Sequence, residues 1–279
     1  MKKYGLIGWP VKHSVSPPMQ NAAFQTIGIE EKLYGLIPVK PELLKDTYKN
    51  VLIKEYAGWN ITVPHKNAMS TLVDKLDISA ELSGSVNTVV NSKNGTKGYS
   101  TDGYGLEKAL EKNFNIKLKG KTFLFIGAGG ASKACCTHFA EQGVAKIIII
   151  NRTIAKCEEI AKNIKKNAPE CLIEYYENPS DEINSNKFST IDAVIQATSM
   201  GLNSNDKIPL SLKYFNRNTV IFDMIYKETP FQKEAKKAGF SVADGRDMLL
   251  YQGMKSFSIW TGKPAPEEKM RKALYSALL

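Results

Sequence analysis

The segment KTFLFIGAGGASKACC, residues 121–136, constrains the fold of this chain more than any other. A short apolar run, 121–127, ends in Gly127 and opens into residues with helical spacing over 130–142. A continuous apolar run bounded by glycine fits a strand buried on both faces. A second run, KIIIIN at 146–151, follows that helix. An amphipathic helix then fits 153–166, with Ile154, Cys157, Ile160, Ala161 and Ile164 on one face. Strand-like runs recur at 171–176, 192–198, 219–226 and 240–245. Strands alternating with helices predict an α/β fold with a Rossmann-type, doubly wound parallel sheet.

The first turn of that sheet suits a dinucleotide. Gly127 permits a tight turn, and Gly129 lets the backbone approach a pyrophosphate. The helix start behind them offers free N–H groups and a positive dipole end. Ser132 takes the third fingerprint position, where glycine or alanine is usual. A tight turn without any ligand would read the same in isolation; the strand–turn–helix setting favours the cofactor. An NAD site places a carboxylate at the end of the second strand, about 20 residues on. Here the residues are Asn151, Arg152 and Thr153. Arginine can clamp a 2′-phosphate and stack on adenine, and Lys156 adds charge one turn later. The pattern favours NADP(H). Thr153 also suits a helix N-cap, a role compatible with phosphate binding.

The first hundred residues carry their own alternation. YGLIG (4–8), KLYGLIPV (32–39) and YAGWNITV (56–63) read as strands. Asn94-Gly95 marks a hairpin between VNTVVN and TKGYS. Ser16 and Pro17 look like the N-cap and first residue of a helix ending near Gly28. Residues 41–54 fit a helix with Leu44, Tyr48, Val51 and Leu52 on one stripe. Another starts at Asp102, with Leu106, Ala109, Leu110 and Phe114 facing inward. NIKLKGK (115–121) is the expected junction, and the tail after Gly245 is again helical. We therefore expect a domain of 1–114 plus 246–279, its sheet closed by the C-terminal helices, and a Rossmann domain of 115–245.

Composition removes several classes. No run approaches the roughly 18 apolar residues of a membrane helix, and the apolar run before Pro10 is too short for a signal peptide. A cytoplasmic protein without membrane partners is expected. Net charge is +10, but the basic residues are spread along the chain, with no aromatic-interleaved cluster. Nucleic acid is not expected as a partner; small anions are. Cys135, Cys136, Cys157 and Cys171 form no CxxC pair and no cluster with His13, His65 or His138. They read as buried thiols, and no metal site is expected.

Four polar stretches lie at or near strand ends in the first domain: HSVSP (13–17), NITVPHK (60–66), SVNTV (85–89) and GYSTDG (98–103). The crevice beyond such ends is where open α/β sheets bind ligands. Their hydroxyls, amides, lysine and aspartate suit a small polyhydroxylated anion. With GAGGAS, NRT, ATSMG, DMIY…TP and DGRDMLLYQG, these stretches form an ordered set spanning nearly the whole chain. That set resembles the shikimate dehydrogenase family. The resemblance implies NADP-dependent interconversion of shikimate and 3-dehydroshikimate, a step toward chorismate and the aromatic amino acids.

The resemblance also implies residue roles. Ser14 and Ser16 match the pair that binds the substrate carboxylate. Asn60, Thr62, Asn87, Asp102 and Gln252 match hydroxyl- and carboxylate-binding positions, and Tyr226 a substrate-contacting tyrosine. Lys66 matches the catalytic lysine, with Asp102 beside it, and both also count as substrate contacts. Gly127, Ala128, Gly129, Gly130 and Ala131 match the phosphate loop, while Asn151, Arg152, Thr153 and Lys156 match the adenosine side of the cofactor site. Thr198 belongs to the same site, and Met224 and Gly245 match positions beside the nicotinamide. Three departures stand out: Gln20 where histidine is frequent, Gln196 where asparagine is common, and Lys156 where arginine is common. The first two concern helix and loop packing.

A free lysine, with a pKa near about 10.4, is a poor base at neutral pH and a ready acid. Asp102 would stabilise the ammonium and hold it in place. Taken singly, Ser16 and Asp102 are equally good helix caps, and Lys66 is one of many lysines. The alternatives are a quinate/shikimate dehydrogenase with relaxed cofactor choice and a non-catalytic NADP-binding regulatory module. NRT argues against the first, and the presence of both Lys66 and Asp102 against the second. Monomer and homodimer both remain open.

Overall fold

The computed structural model describes residues 3–29, 33–177, 188, 190–203 and 205–279. Lys32, at the head of the second strand-like run, lies outside the described residues. Residue contacts divide the chain into two units: Met1–Gly105 with Leu249–Leu279, and Leu106–Met248. Both boundaries fall inside helices, α6 (Asp102–Phe114) and α10 (Arg246–Thr261), whereas the sequence reading placed them at helix ends.

The first unit holds a six-stranded sheet in the order β2-β1-β3-β5-β6-β4. Its strands are β1 (Lys3–Gly8), β2 (Tyr34–Pro38), β3 (Tyr56–Ile61), β4 (Lys75–Leu76), β5 (Thr88–Ser92) and β6 (Gly95–Tyr99). β1 runs parallel to β2 and β3, while β5 runs antiparallel to β3 and to β6. The carboxyl ends of β1, β3 and β6 and the amino end of β5 therefore open on one edge. The four polar stretches of the first domain border those strand ends.

Side chains alternate across a strand, so Leu6 and Ile7 of β1 enter different cores. Ile7 joins Trp59, Ile61 and Val89 under the helical stretch that follows β2. Leu6 joins Phe24 of α1 (Ser16–Thr26), Leu250 and Phe257 of α10, and Met270 and Leu274 of α11 (Glu267–Ser276). The C-terminal helices thus close one face of this sheet. Each such side chain contributes roughly 1.5–3 kcal/mol by leaving water.

Two local expectations are corrected. Residues 41–55 are not one α-helix: a 3-10 turn (Pro41–Leu43), α2 (Leu44–Thr47), a π turn (Tyr48–Leu52) and α3 (Ile53–Glu55) follow one another. Leu44, Tyr48 and Leu52 are buried, but the wider turn leaves Val51 only half-buried. Ser16 is not the N-cap of α1. Val15 holds that place, Ser16 is the first helical residue, and its N–H donates to Ser14 Oγ at 3.2 Å.

The second unit carries an all-parallel sheet in the order β12-β11-β10-β7-β8-β9. The strands are β7 (Thr122–Ile126), β8 (Lys146–Ile150), β9 (Leu172–Tyr176), β10 (Ala193–Gln196), β11 (Val220–Asp223) and β12 (Val242–Ala243). The order reverses between β7 and β10, as in the doubly wound fold. α7 (Gly130–Glu141) and α8 (Ile154–Asn167) pack on one face with Phe139, Cys157, Ile160 and Ile164. α9 (Pro230–Lys237), which the sequence reading missed, packs on the other with Phe231 and Ala235. Its start was legible in Thr229-Pro230: the Thr229 hydroxyl oxygen accepts the Gln232 N–H at 3.1 Å.

The apolar pattern over 219–226 predicts a strand to its end, but β11 stops at Asp223. The Asp223 carboxylate accepts the Ile225 N–H at 3.0 Å and the Thr229 hydroxyl at 2.7 Å, which turns the chain. All four cysteines are buried and lie outside any disulfide, and burial pushes the Cys157 and Cys171 thiols up to about 11. No described helix is long and apolar enough to cross a membrane, and no group of three metal-ligating side chains occurs among the described residues.

Candidate active site

In the first unit the chain carries Lys66 to the shared sheet edge through two anchors. The buried His65 ring lies 2.7 Å from the Val39 carbonyl, and the Lys66 carbonyl accepts the Val86 N–H at 3.0 Å. Lys66 begins α4 (Lys66–Ser70), and its ammonium donates to Asp102 Oδ2 at 2.5 Å. Only 16% of the lysine side chain and 7% of the aspartate side chain are exposed, so the pair is largely desolvated but still reachable. The other carboxylate oxygen, Oδ1, accepts the Asn87 amide at 2.8 Å. Asp102 therefore does not spend its side chain capping α6. Thr101 fills that place, its carbonyl accepting the Gly105 N–H at 2.9 Å.

Asn87 can sit in only one orientation. Its Oδ1 accepts the Thr101 backbone N–H at 2.9 Å, an obligate donor, and its Nδ2 faces the Asp102 carboxylate, which accepts and cannot donate. A longer contact of 3.4 Å joins Asn87 Nδ2 to Gln252 Oε1 on α10, and Gln252 Nε2 donates to the Leu249 carbonyl. The Ser14 hydroxyl donates to Ser16 Oγ at 3.2 Å after β1. Half-buried Thr62 follows β3, its methyl packed on Gly8 where a Cβ has no room. Lys66, Asp102, Asn87 and Gln252 are thus joined by direct contacts, with Ser14, Ser16 and Thr62 on the same sheet edge.

Asn60 holds the site from behind. Its Oδ1 accepts the Tyr34 hydroxyl at 2.7 Å, and its Nδ2 lies 3.0 Å from the Asn87 carbonyl, Thr88 Oγ1 and Ser256 Oγ. Burial pushes the Tyr34 phenol well above its ordinary pKa, so it stays a donor. Asn60→Ala would leave these buried groups short of partners. We expect it to cost about 2–3 kcal/mol of stability, read as a lower denaturation midpoint at constant m-value. An unchanged midpoint would contradict the contact set. Tyr34, Thr88, Thr101 and Ser256 escaped the sequence reading. Thr88 and Thr101 stood beside Asn87 and Asp102 in motifs already noticed, whereas no spacing signals Tyr34 or Ser256.

The second unit carries the residues expected to meet a dinucleotide. Gly127 has φ +107°, and a Cβ there would meet Thr198 Cγ2 at 2.8 Å, so glycine is required at the turn. Gly129 caps α7, and a Cβ on it would meet nothing within 4 Å. Open space above Gly129 and the first N–H groups of α7, at Gly130, Ala131 and Ser132, fit a pyrophosphate. Asn151 fixes the neighbouring loop: its Oδ1 accepts the Ala128 N–H at 3.3 Å and its Nδ2 donates to the Thr153 carbonyl at 2.9 Å. Thr153 is the N-cap of α8 but makes no side-chain capping bond.

Arg152 and Lys156 are exposed, and neither has an ion-pair partner among the described residues. These two positive charges at the end of β8 fit a 2′-phosphate. Gly245 passes so close to Met224 that a Cβ would fall on the Met224 carbonyl oxygen. Tyr226 lies in this unit, not the one holding Lys66; it is half-buried, and burial raises its pKa. Two departures from the family pattern have packing roles. Gln20 Nε2 donates to the Gly253 carbonyl, and Gln196 ties the Thr198 N–H to the Met200 carbonyl.

Comparison with known proteins gives matches along the chain. Residues 6–89 match the family described as the shikimate dehydrogenase substrate binding domain. Residues 108–223 match shikimate / quinate 5-dehydrogenase, and 245–275 the shikimate 5'-dehydrogenase C-terminal domain. A shikimate dehydrogenase (NADP(+)) of Geobacillus sp. (strain WCH70) is 38% identical over 280 residues, covering 99% of each chain. A crystal structure of a shikimate dehydrogenase in complex with NADP+ superposes with TM-score 0.88 at 34% identity, covering 100% of this chain and 96% of that one. The Listeria monocytogenes shikimate 5-dehydrogenase, solved with shikimate and NAD, gives TM-score 0.88 at 30% identity, over 97% and 96%.

Proposed function

The chain belongs to the shikimate dehydrogenase family, and from that premise we infer that Lys66 and Asp102 are the pair that handles the proton in its reaction. The protein is an NADP-dependent oxidoreductase that reduces 3-dehydroshikimate to shikimate, reversibly. The observation that carries the residue assignment is the Lys66–Asp102–Asn87 line at the sheet edge, with Gln252, Ser14, Ser16 and Thr62 beside it. Residues 1–114 with 246–279 form the substrate domain in this reading, and 115–245 the cofactor domain. Four cysteines outside any disulfide fit a reducing compartment such as the cytoplasm.

Bound NADPH would supply the hydride to the substrate ketone. The Lys66 ammonium gives a proton to the oxygen as negative charge develops there, and takes it back in the oxidative direction. Asp102 keeps that ammonium aimed and accepts a substrate hydroxyl through a spare lone pair. Ser14 and Ser16 donate to the substrate carboxylate, and Thr62, Asn87 and Gln252 orient the ring. Gly127 to Ala131 cradle the pyrophosphate, Thr198 backs that turn, and Met224 and Gly245 shape the nicotinamide end.

Arg152 and Lys156 grip the 2′-phosphate. Arg152→Ala is expected to raise KM for NADPH by roughly 10-fold or more, the loss of a charge-assisted hydrogen bond, and KM for NADH far less. Equal effects on both would contradict 2′-phosphate recognition. The substrate assignment is tested by binding: shikimate should raise Tm by mass action on the native state, and should do so equally in Arg152→Ala. No shift at saturating shikimate would overturn it.

A further inference from the structure

Behind the Lys66–Asp102–Asn87 line lies a cluster of hydroxyls to which none of these roles has been given. Thr88 and Ser256 are fully buried, and Thr101 is 1% exposed. Thr88 Oγ1 is the centre: it lies 2.7 Å from Ser256 Oγ, 3.0 Å from Asn60 Nδ2 and 3.1 Å from Asn87 Oδ1. Ser256 Oγ lies 3.0 Å from the Gln252 carbonyl.

Each hydroxyl has one proton to give. At 2.7 Å one proton must lie between Thr88 and Ser256. Given by Thr88, it leaves Ser256 to donate to the Gln252 carbonyl, and Asn87 receives nothing from Thr88. Given by Ser256, it frees the Thr88 proton for Asn87 Oδ1. The Gln252 carbonyl lies inside α10 and already serves an amide four residues on. Asn87 Oδ1 already accepts the Thr101 N–H at 2.9 Å, and the second arrangement gives its other lone pair a donor at 3.1 Å, slightly nearer than the Thr101 hydroxyl at 3.2 Å.

We propose that Thr88 is a positioning residue for the reaction: its hydroxyl, oriented by Ser256, donates to Asn87 Oδ1 and so holds the Asn87 amide against Asp102. Polarising that amide from one end strengthens donation at the other, because linked hydrogen bonds reinforce one another in a low-dielectric interior. The Asp102 carboxylate is thereby fixed on both oxygens, by Asn87 on Oδ1 and by Lys66 on Oδ2. Thr88 touches neither substrate nor cofactor in this arrangement; it acts through Asn87. Asn60, held by Tyr34, keeps Thr88 in place from the opposite side.

The inference rests on the dehydrogenase reading of the same site, so the wild-type protein is assayed beside each variant. Thr88→Val keeps the shape and removes the hydroxyl; Thr88→Ser keeps the hydroxyl and removes the methyl. Both lose some stability, so Tm does not separate them. kcat for shikimate oxidation, corrected for the folded fraction, does. Thr88→Val is expected to lose about tenfold, the scale of one buried hydrogen bond, and Thr88→Ser to stay within about twofold of wild type. Thr88→Val within twofold of wild type, or Thr88→Ser as slow as Thr88→Val, overturns the proposal. Should Thr88→Val fail to fold, Thr88→Ala removes the same hydroxyl without crowding, and its split from Thr88→Ser decides in the same way. An inactive wild type would instead overturn the dehydrogenase reading.

Discussion

Lys66→Ala is expected to lower kcat for 3-dehydroshikimate reduction by about 10²–10⁴-fold, the usual worth of a positioned general acid, with KM close to wild type. The fold should survive. The Lys66 backbone is held by Val86, and Asp102 keeps the Asn87 amide on its other oxygen. The kinetic split is informative because a group that acts only as the proton moves contributes to the transition state and little to ground-state binding. Lys66→Arg sharpens the reading. Guanidinium keeps the charge and the ion pair but does not give up a proton in this pH range. It should therefore be nearly as slow as alanine. A large rise in KM with kcat unchanged in Lys66→Ala would make Lys66 a binding residue only.

Asp102→Asn is expected to cost about 10²–10³-fold in kcat/KM, shared between kcat and KM. The carboxylate accepts from two donors, Lys66 Nζ on Oδ2 and Asn87 Nδ2 on Oδ1. An amide offers one acceptor oxygen and one NH₂ group, so one of these donors must face another donor. Rotating the amide moves the conflict without removing it. Removing one partner of a buried ion pair costs about 3–5 kcal/mol, and residual exposure of Lys66 places this pair at the low end. The ammonium is then less firmly aimed, which lowers kcat, and a substrate hydroxyl loses its acceptor, which raises KM. Wild-type kinetics in Asp102→Asn would remove the pairing from the mechanism.

The second unit was largely legible in the sequence because its signals are local. Buried parallel strands such as 122–126 and 146–150 are continuous apolar runs, and Gly127 announces the turn that its φ of +107° demands. What escaped notice was short or context-dependent. α9 is eight residues, half of them charged, and β4 has only two residues. In the first unit the motif residues were visible, but their division of labour was not. Asn60 and Thr62 stand together in NITVPHK, and the resemblance gives both a ligand-binding role. Asn60 instead spends its side chain on Tyr34, Thr88 and Ser256, partners 26, 28 and 196 residues away in the chain. No local pattern encodes contacts of that separation. Ser16 and Asp102 show the converse: each had a sound local reading as a helix cap, yet Ser16 is already the first helical residue and meets Ser14, and Asp102 gives its carboxylate to Lys66 and Asn87.

The central claim is that this chain oxidises shikimate with NADP+ through the Lys66–Asp102 pair. Its most direct test is turnover by the purified protein with shikimate or quinate, each paired with NADP+ or NAD+, followed by absorbance of the reduced nicotinamide. Shikimate with NADP+ should give the highest kcat/KM of the four pairs, and that rate should collapse in Lys66→Ala. No turnover with any pair, or full turnover in the alanine variant, would contradict the account.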